Sequence, residues 1–142
     1  MCNLSLINTI ELKCFDGDMG SLVALEGLRN IPFEIKRIYY IFNVDKNTMR
    51  GFHAHRNLRQ IAICVSGSCR FALDNGKQRE EVFLDRPTLG LMITGMTWRE
   101  MYDFSSNCVL LVLASEYYAE DDYLRSYLEF KEKVRNEAHS GK

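Results

Sequence analysis

No stretch of this chain approaches the roughly 18 or more consecutive apolar residues of a membrane-spanning helix, and its formal net charge is only −1. The first absence argues against a spanning segment. The second removes any electrostatic reason to expect nucleic acid or an acidic membrane surface as partner. A local cationic pocket for a phosphorylated small molecule remains compatible with that balance. A basic N-terminal region followed by an apolar run is also missing, so no signal peptide is expected. There is no internal repeat, low-complexity segment or linker. The five cysteines, Cys2, Cys14, Cys64, Cys69 and Cys108, include no C-x-x-C pair. Cys64, Cys69 and Cys108 lie in or beside apolar runs, where cysteine acts as a small buried hydrophobe. This usage predicts a reducing, cytosolic compartment.

With 142 residues, 46% hydrophobic and 26% charged, the chain reads as one soluble globular domain spanning residues 1–142. Short apolar or alternating runs recur at Ile7–Leu12, Phe33–Phe42, Leu58–Val65, Cys69–Leu73, Glu81–Leu84, Leu89–Thr94 and Cys108–Ala114. Asp16-Gly17, Ser66-Gly67-Ser68 and Asp74-Asn75-Gly76 separate some of them, and Asn75-Gly76 is a hairpin signal. Many short strands with regular turns predict an all-β sandwich or jelly roll. From about residue 120 to 135 the period changes. Tyr123, Tyr127, Phe130 and Val134, widened by Leu124 and Leu128, predict an amphipathic helix packed on the outside of the barrel. Residues 136–142 are polar and are expected to fray.

Residues two apart on a strand share a face, about 6.5–7 Å apart. His53 and His55 therefore face one side together, opposite Phe52 and Ala54. On the strand Phe33–Phe42, Arg37 and Tyr39 share an otherwise apolar face with Ile35 and Ile41. They require either a polar pocket at the barrel mouth or a half-exposed sheet edge. A neutral imidazole titrates near neutrality and can remove and return a proton.

The run Gly51-Phe52-His53-Ala54-His55, followed by Gln60 and Gly67, resembles the first motif of a cupin barrel. In metal-binding cupins both histidines are ligands and the third is a glutamate. Here a neutral Gln60 occupies that place, and the later motif Gly95-Met96-Thr97-Trp98-Arg99 carries Arg99, which cannot bind a metal. The two histidines are therefore read as acid/base groups, with no metal and no other cofactor expected.

Ile31-Pro32-Phe33, Lys36-Arg37-Ile38-Tyr39-Tyr40-Ile41, Arg50–His55, Trp98-Arg99-Glu100-Met101, Asp103-Phe104-Ser105 and Val112–Tyr118 resemble the sugar 3,4-ketoisomerase family, relatives of the dTDP-sugar epimerase cupins. The resemblance runs from about Leu6 to about Lys133. It implies a double-stranded β-helix, a homodimer, and a dTDP-linked 4-keto-6-deoxy-glucose as substrate, with the ketone moved from C4 to C3. Such a product would feed an aminotransferase making a 3-amino-3,6-dideoxyhexose for a surface glycan or secondary metabolite. By the same resemblance His53 moves the proton between C3 and C4, Tyr39 moves protons between the sugar oxygens, and His55 holds or tunes His53. Arg37, Arg50, Arg59 and Arg99, with Gln60, are candidates for binding the pyrophosphate or sugar oxygens. Arg99 places the chain nearer the branch that leaves a gluco product. Met19, at a second position linked with stereochemistry, fits neither branch. A 3,5-epimerase-like cupin and a sugar-binding cupin without turnover are the alternatives.

Overall fold

In the computed structural model, which describes residues 5–140, most regular structure is β-strand. The strands are β1 (Asn8–Glu11), β2 (Cys14–Gly17), β3 (Gly20–Val23), β4 (Arg37–Phe42), β5 (Arg50–His55), β6 (Gln60–Ser66), β7 (Cys69–Asp74), β8 (Arg79–Leu84), β9 (Leu89–Ile93), β10 (Trp98–Tyr102), β11 (Val109–Ala114) and β12 (Tyr123–Leu124). One sheet has the order β1-β9-β6-β11-β4, and the facing sheet has β12-β5-β10-β7-β8. All paired strands are antiparallel. This is the expected all-β jelly-roll barrel. Cys2 and residues 141–142 of the expected tail lie outside the described residues.

Burial follows position in the sheets. β6 is central, and Gln60 to Cys64 are buried without interruption, because a central strand covered on both faces has no solvent side. β4 is an edge strand and alternates: Arg37, Tyr39 and Ile41 point inward, while Ile38, Tyr40 and Phe42 are exposed. The two sequence-level options for Arg37 and Tyr39 thus coexist, an edge strand with an inward polar face. Between the sheets, Ala62, Leu91, Ile93, Leu110 and Val112 pack against Phe71, Leu73, Leu84 and Met101. A second apolar layer, Leu12, Ile31 and Phe33, covers Ile61, Ile63 and Leu113 on the outside of the first sheet.

The C-terminal helix differs from the expected span of about 120–135. Glu120–Asp122 form a single 3₁₀ turn, Tyr123–Leu124 pair with β5, and the helix α1 runs Tyr127–Ser140. Pairing of Tyr123 with His55 and of Leu124 with Ala54 holds these residues extended, which overrides their helical spacing. The start signal is Ser126-Tyr127-Leu128-Glu129. The Ser126 hydroxyl accepts from the Glu129 N–H at 3.3 Å, as an N-terminal cap does. Phe130 is fully buried against Ala54, Trp98 and Leu124, whereas Leu128 is 76% exposed and lies off the stripe. Helical backbone continues through 136–140, where fraying was expected. Tyr127 donates to Asp74 at 2.7 Å and Lys131 to the Gly76 carbonyl at 3.0 Å, tying the helix to the β7–β8 hairpin.

Candidate active site

β5 carries the histidines, and its backbone is irregular where they begin. Gly51 has φ +91° and Phe52 has φ 58°. The β5–β10 register shifts there, so Arg99 pairs with His53 but Glu100 with Gly51, leaving Phe52 as a bulge. A Cβ on Gly51 would meet the Arg99 carbonyl oxygen at 2.8 Å, so only glycine allows this approach. Bulges re-aim side chains beside functional sites. Here Phe52 is turned to the exterior and His53 inward.

His53 Nδ1 lies 3.0 Å from the Gly51 carbonyl oxygen. A carbonyl only accepts, so Nδ1 carries the proton and Nε2 is left with its lone pair. Burial, reinforced by the Arg99 charge, lowers the His53 pKa to about 4. His53 is therefore a neutral base at pH 7. His55 Nδ1 meets Asp122 Oδ2 at 3.2 Å, and the same two influences hold His55 far below the usual imidazole range. Asp122 attracts the Nδ1–H rather than a second proton. The two imidazoles meet edge to face, with centroids 4.8 Å apart. Tyr123 packs on both, at 5.0 Å and 4.3 Å.

A hydrogen-bonded chain runs behind them. Arg99 Nη1 donates to Gln60 Oε1 at 2.6 Å, and Gln60 Nε2 donates to the Tyr39 hydroxyl at 2.7 Å. The cation fixes which end of the amide faces Tyr39. The Tyr39 oxygen is thus an acceptor on that side, and its own proton is free to point into the cavity. Burial raises the Tyr39 pKa, opposed by Arg99 and by the Gln60 hydrogen bond. Arg99 is 2% exposed. Its other Nη donates to the Thr97 carbonyl at 2.9 Å, and its Nε has no hydrogen-bond partner among the described residues. Burial lowers its pKa only to about 10, so it stays charged. A buried cation held by neutral groups is poised for an anion formed beside it.

Tyr39, His53, Arg37 and Arg50 line one cavity of about 330 Å³ together with Tyr118, Tyr123 and Arg125. His55 lines a neighbouring one of about 670 Å³ with Arg56, Asn57, Asp121 and Asp122; the two cavities share Arg37, Tyr118 and Tyr123. The histidines share a strand face as expected but open onto different spaces.

Two expected site residues stand elsewhere. Arg59 donates to the Pro32 carbonyl at 3.4 Å and lies over the Phe33 ring, away from either cavity. Met19 is fully exposed at the tip of the β2–β3 hairpin and lines neither cavity. Gln60 and Arg99 are buried behind the surface formed by Tyr39 and His53. Sequence reading gave no site role to Tyr118, Asp122, Tyr123 or Arg125. The signal was the run Glu116-Tyr117-Tyr118-Ala119-Glu120-Asp121-Asp122-Tyr123, whose aromatic and acidic density exceeds what a helix start needs.

A family model described as FdtA, WxcM-like, C-terminal, matches residues 5–135. The chain belongs to this family. A TDP-4-oxo-6-deoxy-alpha-D-glucose-3,4-oxoisomerase from Aneurinibacillus thermoaerophilus is 50% identical over 125 residues, covering 88% of this chain and 90% of that protein. Among solved structures, the TDP-quinovose 3,4-ketoisomerase WlaRB of Campylobacter jejuni is 46% identical with a TM-score of 0.86, covering 91% of this chain and 99% of its own. A histidine-to-asparagine variant of the 3,4-ketoisomerase QdtA from Thermoanaerobacterium thermosaccharolyticum, in complex with TDP-4-keto-6-deoxyglucose, is 42% identical with a TM-score of 0.91, covering 94% and 97%.

Proposed function

We propose that this protein is a sugar 3,4-ketoisomerase acting on TDP-4-keto-6-deoxy-glucose. The observation that carries the mechanism is the pairing, around one cavity, of a neutral His53 with free Nε2 and a Tyr39 hydroxyl that accepts from Gln60. The hydrogen on C3 is acidic because it is α to the C4 ketone. His53 removes it, giving an enediolate with charge on O4. Tyr39 donates its proton to O4, and the buried Arg99 offsets the negative charge. His53 then returns its proton to C4, Tyr39 recovers a proton from O3, and the ketone stands at C3. Each group ends as it began, so neither metal nor redox cofactor enters. His55, held by Asp122, positions His53. Arg37 and Arg50 suit the diphosphate because guanidinium is a forked, permanent donor.

The finer reading is a gluco product, dTDP-3-keto-6-deoxy-glucose. Arg99 and the 46% identity to a TDP-quinovose enzyme support it, quinovose being 6-deoxyglucose. The protein is further proposed to be a cytoplasmic homodimer. Among the described residues, hairpin β2–β3 pairs only with itself and exposes Phe15, Met19 and Leu22. A second copy would cover those side chains and bring Met19 to a site that it does not reach in its own chain.

NMR of the product formed from TDP-4-keto-6-deoxy-glucose in deuterated water tests these readings. Label at C4 of the product and at C3 of the recovered substrate, with an equatorial C4 hydroxyl in the product, is expected. An axial hydroxyl refutes the gluco assignment, a 4-keto product labelled at C3 and C5 indicates an epimerase, and substrate recovered unchanged and unlabelled indicates a binder.

A further inference from the structure

The opposite end of β6 holds a cluster that the isomerase reading does not use. Cys64 on β6, Cys69 at the start of β7 and Cys108 just before β11 are all buried. Cys64 Sγ lies 3.5 Å from Cys69 Sγ and 3.8 Å from Cys108 Sγ, and the three sulfurs lie within 4.8 Å of one another. From the sequence these residues read as separate small hydrophobes. The fold brings them together because β6 pairs with β11, with Cys64 opposite Leu110, and the Ser66-Gly67-Ser68 turn carries the chain back into β7. Two turns close this end: Ser68 N–H donates to the Ser105 hydroxyl at 2.9 Å, and Ser105 N–H to the Ser68 carbonyl at 2.9 Å.

We propose that Cys64, Cys69 and Cys108 form a three-thiol site for a trivalent thiophilic metalloid, of which arsenic(III) is the representative. Bonds of about 2.3 Å from thiolates to one ion put three sulfurs about 3.4–4.0 Å apart, a range that holds both distances from Cys64. The donors are all sulfur, the soft ligand type that selects soft ions. Charge then discriminates among those ions. Phe71, Phe104 and Leu110 belong to the same apolar cluster, and the charged group acting on Cys64 is an anion, Asp85. Three thiolates around zinc(II) would carry −1 and around copper(I) −2, a costly burial without a cation. Around arsenic(III) they carry none. Arsenous acid, As(OH)₃, and three thiols condense to As(SR)₃ and three waters. Three S–H and three As–O bonds break, three As–S and three O–H bonds form, and no oxidation state changes. On the solvent side, a groove of about 310 Å³ lined by Tyr40, Phe42, Asn43 and Asn107 borders Cys108, with Cys64 and Cys69 fully buried behind it.

The test uses the full chain, reduced with a phosphine and desalted after exposure to arsenite. One arsenic per chain is expected, with three sulfur neighbours in the arsenic X-ray absorption spectrum of the unmutated protein. Zinc(II) offered in equal amount should not displace it. Cys64→Ala, Cys69→Ala and Cys108→Ala should each weaken retention by about tenfold or more, while Cys2→Ala with Cys14→Ala leaves it unchanged. No retained arsenic, two or fewer sulfur neighbours, displacement by zinc, or full retention in Cys108→Ala would overturn the site. The absorption spectrum decides even if an alanine variant fails to fold.

Discussion

β6 begins at Gln60, among an arginine, a tyrosine and two histidines, and by Cys64, about 13 Å further on, has entered a region of thiols and phenylalanines. Both ends are buried, but they are held by different forces. At the first end Arg99, Gln60 and Tyr39 satisfy one another in a directional chain, and the Arg99 Nε has no hydrogen-bond partner among the described residues. At the second, the side chains make non-directional apolar contacts. This barrel therefore sustains buried polar groups where they form a connected network, and its packing elsewhere carries the cost. It also separates the effects expected of mutation: chemistry should fail at one end and stability at the other.

The largest expected effect is at the polar end. His53→Asn should lower turnover by about 10²–10⁴-fold, as removal of a positioned general base does, with nucleotide-sugar binding retained by calorimetry. Wild-type kinetics in that variant would break the contrast. At the apolar end, Phe71→Ala should destabilise by about 3–5 kcal/mol in denaturant titration, because Phe71 is fully buried. Turnover per folded molecule should stay near the wild-type value. A turnover defect without loss of stability would show that the ends are not separable.

Gln60→Glu sharpens the polar side. A glutamate would hold Arg99 but accept the Tyr39 proton instead of donating to its oxygen. Tyr39→Phe, Gln60→Glu and the double variant should therefore be non-additive, with a coupling of roughly 0.5–3 kcal/mol in kcat. Additive losses would make Gln60 a packing residue only.

A smaller effect comes from pH. His53 titrates at about 4 in the folded protein against an ordinary 6.5. Between those values the unfolded chain binds more protons. The His53 contribution to stability is thus fully present above pH 6.5 and is lost as pH falls toward 4. kcat/KM should stay flat down to about pH 5 and fall through about 4, provided the protein remains folded. An inflection near 6.5 would mean that His53 is solvated. The smallest expected effect is that of chelators. Because Gln60 and Arg99 engage each other where a metal site would need donors, EDTA should leave activity unchanged, and loss rescued by one divalent metal would return the histidines to a ligand role.

The sequence by itself determined the all-β class, the strand carrying His53 and His55, and the face that Arg37 and Tyr39 share, though not that it points inward. Period-two alternation and the glycines around His-x-His are local signals, and backbone sterics make them legible without the fold. It also carried the helix start in Ser126 and Glu129, although spacing alone suggested an earlier one. Tertiary structure decided what depends on register between distant strands. It joined Gln60 of β6 to Tyr39 of β4 and Arg99 of β10, laid Tyr123 over both imidazoles, and turned Arg59 and Met19 away. It also gathered Cys64, Cys69 and Cys108, residues up to 44 positions apart. Contacts across sheets are set by how two strands slide and twist against each other, and a one-residue shift would exchange every inward side chain for an outward one.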